Sequence, residues 1–300
     1  MNIGFVGLGT MGGAMCANIV KKHDGQVFVY DMLPERMARL ETLGAVVCKS
    51  CAETAGNSEL IITVLPRTEH VKAAWEEMMP AMSAGKTGID MSTIDPYASA
   101  AIADRIKTET GAQFADCPVV KSKDAAEKGT LGIYAGCEED VFEKIYPVLL
   151  YMGEHVIHMG KNGMGITMKI CQNALSHEIQ AAVNETLTLA ELMGIRIEDF
   201  AKAVSYGGAA NYYLESKYEA IKERDYSVSF PVEYALKDLE ICRRMTETCG
   251  FQMPILQHAV SLLKKAADMG LARADNCASI EAVRKGTSLE RDGLGKTDLE

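Results

Sequence analysis

The segment IGFVGLGTMG, residues 3–12, decides the fold of the N-terminal half of this chain. Its first four residues are apolar and predict a buried strand, and residues 11–22 predict a helix. Between the two lie the glycines of a G-x-G-x-x-G turn, Gly7, Gly9 and Gly12. Because a strand precedes this turn and a helix follows it, the segment predicts a βαβ unit that binds a dinucleotide.

Each glycine has a separate role in such a turn. The first permits the tight turn, the second lets a pyrophosphate approach the backbone, and the third lets the helix pack closely on the strand. The free N–H groups at the start of the helix, and the positive end of its dipole, favour the phosphates. The residues predicted to bind the cofactor here are Gly7, Leu8, Gly9, Thr10, Met11 and Gly12.

An acidic residue follows the second predicted strand. Asp31 comes 19 positions after Gly12, where a carboxylate accepts hydrogen bonds from ribose hydroxyls and repels a 2′-phosphate. No arginine follows immediately, since Met32, Leu33 and Pro34 come next. The sequence therefore predicts NAD rather than NADP as the cofactor. The alternative is a structural glycine turn and a helix-capping aspartate, which the complete βαβ context disfavours.

Strands and helices alternate through the first half of the chain. This alternation predicts a mostly parallel, doubly wound α/β sheet of the Rossmann type. The predicted strands are residues 3–6, 26–30, 60–65, 87–90, 113–116, 132–135 and 155–158, and the predicted helices are residues 11–22, 34–43, 68–78 and 96–108.

The second half has a different pattern. A helical stretch covers residues 164–193, and strand signals almost vanish after it. The sequence therefore predicts a Rossmann domain at residues 1–162 and an all-helical domain at residues 163–300, with residues 291–300 as a polar tail. The further predicted helices are residues 197–205, 213–222, 232–248, 254–269 and 279–284.

Composition narrows the class of protein. Hydrophobic residues make up 48% of the 300-residue chain and charged residues 24%, as in soluble globular enzymes. A formal net charge of −10 disfavours nucleic acid and anionic membranes as partners. No apolar run approaches the roughly 20 residues that span a bilayer, and the N-terminus lacks a signal-type start, so we expect a cytoplasmic protein.

The nine cysteines are expected to be reduced thiols, because the chain is long and carries no secretion signal. Cys48 and Cys51 have C-x-x-C spacing, but one such pair without a second is a weak metal or redox signal. We therefore expect no metal site.

The long predicted helix carries a polar stripe at three- and four-residue spacing, consisting of Lys169, Asn173, Ser176, Gln180 and Asn184. Most residues around the stripe are apolar, so we expect a buried helix. A buried lysine loses its proton more readily, which suits acid–base catalysis near neutral pH. A lysine that snorkels from a surface helix explains the stripe equally well at this point.

Five motifs in order resemble the β-hydroxyacid dehydrogenases, the family that includes 3-hydroxyisobutyrate dehydrogenase and tartronate semialdehyde reductase. The resemblance spans nearly the whole chain. The motifs are residues 3–18, Leu65-Pro66 with residues 90–93, residues 116–119 with 129–131, residues 163–165 followed by Lys169 and Asn173, and Lys237-Asp238-Leu239.

The resemblance implies an NAD-dependent oxidoreductase that interconverts a small β-hydroxyacid and its semialdehyde. It implies Lys169 as the general acid/base, with Asn173 beside it, and a homodimer or homotetramer. Further cofactor contacts are implied for Leu65, Pro66, Thr93 and Lys237. Further candidates for substrate contact on the same helix are Gln172 and Ser176.

The chain departs from the family pattern in its substrate loop and on the catalytic helix. Members commonly continue Pro-Val with Ser-Gly-Gly, whereas here Pro118-Val119 leads into Val120-Lys121-Ser122-Lys123. On the helix, Gln172-Asn173 stands where members usually have Asn-Asn. The first difference puts the usual substrate in question.

Two cations and a hydroxyl lie within three residues of this loop. In an extended loop Lys121 and Lys123 point the same way and, with Ser122, would clamp a carboxylate, sulfonate or phosphate. The loop is similar in character to that of the sulfolactaldehyde reductases of the family. The sequence thus predicts a sulfonate- or dicarboxylate-bearing substrate, with 3-hydroxyisobutyrate or tartronate semialdehyde as alternatives. A solvated charge run, neutralised by Asp124 and Glu127, is the other interpretation.

Three other functions fit less well. A decarboxylating enzyme of the 6-phosphogluconate type uses a His and a Glu where this chain has Gln172 and Ser176. Imine reductases on this scaffold generally lack the lysine that this chain has at Lys169. A non-catalytic NAD-binding protein would not need Lys169, Asn173 and Lys237 together.

Overall fold

The computed structural model describes residues 1–290, which divide into two compact units, Met1–Lys169 and the residues from Ile170 onward. The first unit is built on a mostly parallel sheet and the second is helical, which confirms the predicted fold class. The predicted polar tail, residues 291–300, lies outside the described residues. None of the helices described combines the length and the apolar character that crossing a membrane requires.

The first unit contains one sheet with a reversal in its strand order. Its strands are β1 (Ile3–Val6), β2 (Val27–Tyr30), β3 (Val46–Val47), β4 (Leu60–Thr63), β5 (Thr87–Asp90), β6 (Gln113–Asp116), β7 (Val119–Val120), β8 (Leu131–Gly136) and β9 (Gly153–Gly160). The order is β3-β2-β1-β4-β5-β6-β8-β7, and β9 pairs with β8. Strand β1 lies between β2 and β4, and such a switch point opens the crevice in which doubly wound sheets bind ligands.

The strand register aligns the carboxyl ends of the central strands. Val6 pairs with Tyr30 and with Thr63, Thr63 pairs with Asp90, and Asp90 pairs with Asp116. The residues that follow these strands therefore meet at one edge of the sheet. That edge contains the glycine turn and the predicted cofactor turns.

The helices of the first unit are α1 (Thr10–Lys22), α2 (Pro34–Glu41), α3 (Cys51–Gly56), α4 (Thr68–Met78), α5 (Pro96–Thr110), α6 (Lys123–Lys128) and α7 (Glu139–Leu149). Local signals explain several of their ends. Asp95 accepts hydrogen bonds from Tyr97 N and Ala98 N, and Pro96 occupies the first turn of α5. The core packs α1 against β1 through fully buried side chains that include Phe5 and Met15.

Sequence periodicity missed several short elements of this unit, namely β3, α3, β7, α6 and the eleven-residue α7. Four of them have two or six residues, too few for a periodic pattern to emerge. Helix α7 contains Pro147, a residue that normally ends a helix in sequence-based reasoning.

The second unit is built from helices. Helix α8 (Met164–Leu192) runs across the boundary between the units and is followed by α9 (Ile197–Val204), α10 (Tyr212–Glu223), α11 (Val232–Cys249), α12 (Pro254–Ala266) and α13 (Ile280–Arg284). The expectation that α8 is buried on most sides is wrong, because Leu175 is 58% exposed and Leu189 is 60% exposed in the chain. Its buried face includes Leu187, which belongs to the core of the second unit.

A buried carboxylate fixes the start of α8. Asp116, at the end of β6, is fully buried and accepts hydrogen bonds from Gly163 N (2.6 Å) and Ile166 N (2.9 Å). These are orphan N–H groups of a helix start, and the carboxylate satisfies them. Desolvation nevertheless raises the pKa of Asp116 to about 7, and the nearby charge of Asp90 adds to the rise.

The raised pKa of Asp116 predicts a specific pH dependence of stability. The folded state holds the proton more tightly than the unfolded state, so the contribution of Asp116 to stability is complete below about pH 4 and is lost as the pH rises through 7. The slope should be up to about 1.4 kcal/mol per pH unit in the free energy of unfolding. Urea unfolding from pH 4 to 8 should show that Asp116→Asn flattens this slope.

Asp24→Asn is the matched control, since Asp24 is an exposed carboxylate of the same unit. Its slope should equal that of the unsubstituted protein. Equal slopes for Asp116→Asn and Asp24→Asn would show that Asp116 titrates with an ordinary pKa.

Candidate active site

In the glycine turn between β1 and α1, the backbone of the glycines lies very close to neighbouring backbone atoms. Gly7 has φ +92°, and a Cβ at this position would overlap Val64 O, while a Cβ at Gly12 would overlap Gly7 O. At Gly9 a Cβ would instead meet only Arg36 Nη1 within 4 Å among the described residues, at 3.8 Å. The outer side of the turn is therefore open, which fits the close approach of a pyrophosphate.

Asp31 lies directly after β2 and is 8% exposed. Its Oδ2 accepts a hydrogen bond from Leu8 N (2.7 Å) and its Oδ1 accepts one from Leu33 N (2.9 Å). The carboxylate thus joins the glycine turn to the end of β2, where the ribose of a dinucleotide is expected.

An arginine that sequence reasoning missed lies beside this acid. Arg36 is in the first turn of α2, and its Nη1 is 3.5 Å from Asp31 Oδ2. The three residues directly after Asp31, Met32, Leu33 and Pro34, include no arginine. The helical turn brings a residue five positions later back to the carboxylate, and strand-and-turn patterning alone does not reveal that contact.

A hydrogen-bonded chain holds the two later cofactor turns together. Leu65 N donates to Ser92 Oγ (2.8 Å), and Ser92 Oγ donates to Asp90 Oδ1 (2.6 Å). Pro66 follows on the exposed side, and Thr93 is half-buried. The turns after β4 and β5 therefore lie together beside the glycine turn, as the order of the strands requires.

The substrate loop has a different conformation from the expected one. Lys121 has φ +82°, in the left-handed region, and Lys123 is the first residue of α6. The predicted extended run with two parallel lysines is therefore wrong. The physical reason is local, since β7 pairs with β8 only through Val119 and Val120 and the chain turns directly after them.

The two lysines have different surroundings. Lys121 Nζ donates to Thr130 O (2.7 Å) and forms an ion pair with Glu154. Lys123 Nζ is 3.5 Å from Glu127 Oε1, and its side chain is 58% exposed. The side chain of Lys121 therefore binds groups of the protein itself, whereas the side chain of Lys123 is largely exposed to solvent.

The same loop is attached to the cofactor-binding helix. Asn18 of α1 donates from Nδ2 to Ala126 O (2.7 Å) and to Glu127 O (3.2 Å) of α6. Ser122, which precedes α6, is exposed and makes no side-chain capping bond. These hydrogen bonds attach α6 to the helix that starts at the glycine turn.

Helix α8 carries Lys169 and Asn173 one turn apart, and both are half-buried. Asn173 Nδ2 donates to Asp238 Oδ2 (2.6 Å), and Lys237 Nζ is 3.1 Å from Asp238 Oδ1. The structure thus brings Asn173 together with Lys237 through Asp238, which is 2% exposed. The sequence motif Lys237-Asp238-Leu239 contains Asp238 but does not reveal this contact.

The C-terminal part of the polar stripe on α8, Gln180 and Asn184, belongs to the core of the second unit. Gln180 Nε2 donates to Asn276 O and to Ser279 Oγ, both at 2.7 Å. Asn184 Nδ2 donates to Ser279 Oγ (2.9 Å), and Tyr213 OH donates to Asn184 Oδ1 (2.9 Å). These side chains satisfy one another, so helical spacing alone overestimated the length of the functional stripe.

The remaining candidates lie around this region of α8. Gln172 is half-buried, and Ser176 is exposed, with its Oγ donating to Gln172 O (2.9 Å). His177 is buried, and its Nδ1 lies 2.9 Å from Gln180 Oε1. Because Gln180 donates both N–H groups elsewhere, its Oε1 is the acceptor and His177 Nδ1 carries the proton.

No group of three or more metal-ligating side chains is arranged to hold a metal ion within residues 1–290. Cys48 and Cys51 are both buried as free thiols. Burial raises the pKa of the Cys51 thiol to about 12, so it is protonated at neutral pH.

Comparisons with known proteins identify the family of this chain. Residues 2–160 match the family model described as the NAD binding domain of 6-phosphogluconate dehydrogenase, and residues 163–283 match the NAD-binding region of NADP-dependent 3-hydroxyisobutyrate dehydrogenase. The 2-(hydroxymethyl)glutarate dehydrogenase of Eubacterium barkeri is 30% identical over 98% of each chain. The chain belongs to the β-hydroxyacid dehydrogenase family.

Other members of this family are similar over nearly the full chain. The 3-sulfolactaldehyde reductase of Escherichia coli K12 is 29% identical, covering 94% of this chain and 95% of that protein. The solved structure of Mycobacterium tuberculosis 3-hydroxyisobutyrate dehydrogenase with L-serine has a TM-score of 0.87 and 26% identity, over 94% of this chain and 99% of that one. This β-hydroxyacid dehydrogenase is therefore an NAD(P)-dependent enzyme of the hydroxyacid and semialdehyde class.

The geometry around Asp238 predicts that it positions its two neighbours in this dehydrogenase. Asp238→Asn should lower kcat/KM by about ten- to a hundredfold, because it removes the charge that orients Asn173 and balances Lys237. Steady-state kinetics with a hydroxyacid substrate will measure this, and near-UV circular dichroism will check the fold. Asp268→Asn, an exposed acid of the same unit, is the control and should change nothing. An unchanged kcat/KM in Asp238→Asn would show that Asp238 does not position Asn173 and Lys237 for the reaction.

Proposed function

We propose that this enzyme oxidises the hydroxymethyl group of a small β-hydroxyacid that carries a second anionic group, and that it reduces the corresponding semialdehyde in the reverse direction. The observation that carries this proposal is the grouping of Asn173, Asp238 and Lys237, on elements of the second unit, with Lys169 one turn away from Asn173 on α8. These are charged and amide groups of the kinds that hold a carboxylate and a hydroxyl.

Lys169 is the proposed acid–base group. In oxidation, the substrate C–H bond breaks with transfer of a hydride, and the neutral amine of Lys169 takes the hydroxyl proton as the carbonyl forms. In reduction, the protonated amine returns that proton to the forming alkoxide. The bound nicotinamide supplies the hydride chemistry, and the protein contributes orientation and proton transfer. Asn173, held by Asp238, would donate a hydrogen bond or accept one at the reacting oxygen.

NAD is the proposed preferred cofactor. Asp31 presents a carboxylate where a 2′-phosphate would add two further negative charges, and ribose hydroxyls suit this acceptor better. Asp31→Ala should therefore lower the ratio of kcat/KM with NAD to kcat/KM with NADP.

The proposed second anionic group of the substrate follows from the loop and from the relatives. The names of two relatives, 2-(hydroxymethyl)glutarate dehydrogenase and 3-sulfolactaldehyde reductase, refer to substrates with a second carboxylate or a sulfonate. In this chain, Lys121 is engaged by Glu154 and Thr130 O, so the contact with the extra anion is assigned to Lys123 and Ser122. Lys121 holds the loop in shape.

The first test of this function concerns Lys169. Lys169→Ala should lower turnover by about two to four orders of magnitude, because general acid–base catalysis is typically worth about 10²–10⁴-fold. Binding of NADH, measured by fluorescence titration, should stay the same. Lys161→Ala, an exposed lysine just before α8, should keep full activity. A Lys169→Ala enzyme with more than about a tenth of normal turnover, with chemistry limiting the rate, would exclude Lys169 from this role.

The second test compares 2-(hydroxymethyl)glutarate with 3-hydroxyisobutyrate, which share a hydroxymethyl group and a carboxylate but differ by a second carboxylate. Lys123→Ala should raise the KM for the dicarboxylate by roughly tenfold, since a charge-assisted hydrogen bond is worth about 1.5–3 kcal/mol and this one is partly exposed. The KM for the monocarboxylate should change little. Lys121→Ala should affect both substrates alike, because it acts on the loop.

Lys128→Ala is the matched control for this test, since Lys128 is exposed at the other end of α6. Both KM values should stay at their normal level in that variant. If Lys123→Ala behaves like Lys128→Ala, Lys123 is a solvated surface charge and the second anionic group is bound elsewhere.

A further inference from the structure

His177 is a buried histidine on α8, one turn after Asn173. Its ring is oriented by a hydrogen bond in which Nδ1 donates to Gln180 Oε1 (2.9 Å). Gln180 is itself held in place, because its Nε2 donates to Asn276 O and to Ser279 Oγ, both at 2.7 Å. The core of the second unit therefore fixes the plane of the imidazole.

The face of this imidazole stacks on Phe230. The two ring centroids are 6.1 Å apart and the ring planes differ by 13°, within the range in which aromatic rings attract each other. Phe230 also contacts Tyr234, with centroids 6.4 Å apart and planes at 64°, which is an edge contact. His177, Phe230 and Tyr234 thus form a ring row that runs from α8 to α11.

The ring row and the hydrogen bond between Asn173 and Asp238 join the same two helices at neighbouring turns. Asn173 Nδ2 donates to Asp238 Oδ2 (2.6 Å). His177 follows Asn173 by four residues on α8, and Tyr234 precedes Asp238 by four residues on α11. Residues four apart share a helix face, so the ring row lies one turn from this hydrogen bond on both helices.

The backbone of Phe230 is anchored to the same core. Phe230 N donates to Asp275 Oδ2 (3.1 Å), and Asn276 N donates to Phe230 O (2.9 Å). Asp275 is 1% exposed, and Phe230 directly precedes the N-cap residue of α11. The side chain that His177 contacts is therefore held at the start of the helix that carries Asp238.

We propose that His177 is a positioning residue, which sets through the ring row the distance and angle at which Asp238 meets Asn173. This inference rests on the proposed function, in which Asn173 contacts the reacting oxygen. Gln180 keeps the imidazole from rotating, and the imidazole keeps Phe230 against α8. Without that ring the start of α11 can shift relative to α8. The amide of Asn173 is then aimed less accurately, and small misplacements of a positioning group lower the rate of reaction.

The test measures kcat/KM for His177→Ala in two backgrounds, the otherwise unsubstituted enzyme and Asp238→Asn. The substrates are NAD with 2-(hydroxymethyl)glutarate and with 3-hydroxyisobutyrate. In the first background the substitution should lower kcat/KM about tenfold, mainly through kcat. In the Asp238→Asn background the further loss should be less than about twofold, because the contact that His177 positions is already weakened.

A second variant and a control make the comparison specific. His177→Asn keeps a hydrogen-bond donor for Gln180 but lacks the ring, so it should show the same loss and the same dependence on Asp238. His258→Ala is the control, because His258 is an exposed histidine of α12 whose Nε2 lies 2.9 Å from Glu185 Oε1 of α8. Its kcat/KM should stay normal. Thermal melting will check that each variant is folded.

An equal factor of loss in the two backgrounds would show that His177 only stabilises the fold, and it would overturn the proposal. So would a normal kcat/KM in the folded His177→Asn enzyme. In both of these results Asp238→Asn itself stays impaired. A normal kcat/KM in Asp238→Asn has a different meaning, since it would contradict the proposed arrangement of the site and the role of His177 with it.

Discussion

Helix α1 packs closely on strand β1 because Gly7 and Gly12 have no side chains. Much of the first unit depends on this contact. A Cβ on Gly12 would overlap Gly7 O, and a Cβ on Gly7 would overlap Val64 O at the end of the neighbouring strand. Any larger residue at either position would force the helix away from the sheet. The turn would then lose the open backbone surface that a pyrophosphate needs. Further along α1, Asn18 Nδ2 donates to Ala126 O and so attaches the same helix to α6.

Buried carboxylates fix the other parts of the candidate site. Asp90 gathers the turns after β4 and β5, Asp116 holds the first turn of α8, and Asp238 joins Asn173 to Lys237. Each accepts a hydrogen bond from another element: Asp90 from Thr63 Oγ1 of β4, Asp116 from Ile166 N of α8, and Asp238 from Asn173 Nδ2 of α8. Desolvating a carboxylate is costly unless its lone pairs are satisfied, so these acids enforce one arrangement of the elements they connect. The raised pKa of Asp116 reflects that cost.

In the substrate loop, a strained backbone conformation determines what the charged side chain of Lys121 contacts. Lys121 adopts φ +82°, a conformation that glycine adopts with less strain, and its ammonium group is held by Thr130 O and Glu154. A side chain fixed in this way stabilises a turn and has little freedom to follow a substrate. Lys123 is two residues away and begins a helix with an exposed side chain. Two lysines that look equivalent in the sequence therefore have different contacts in the structure.

Sequence alone determined the βαβ unit, the change from alternating elements to helices, and the family. These depend on short-range patterns: glycine spacing, apolar periodicity and motifs in fixed order. It also selected Lys169, Asn173 and Lys237, because their spacing and family motifs are visible in one dimension. Only the tertiary structure decided which groups these residues meet. The contacts of Arg36 with Asp31, of Asp238 with Asn173 and of Lys121 with Glu154 join separate elements or residues on different turns. No periodicity encodes such contacts, because they depend on how the packed elements direct each side chain.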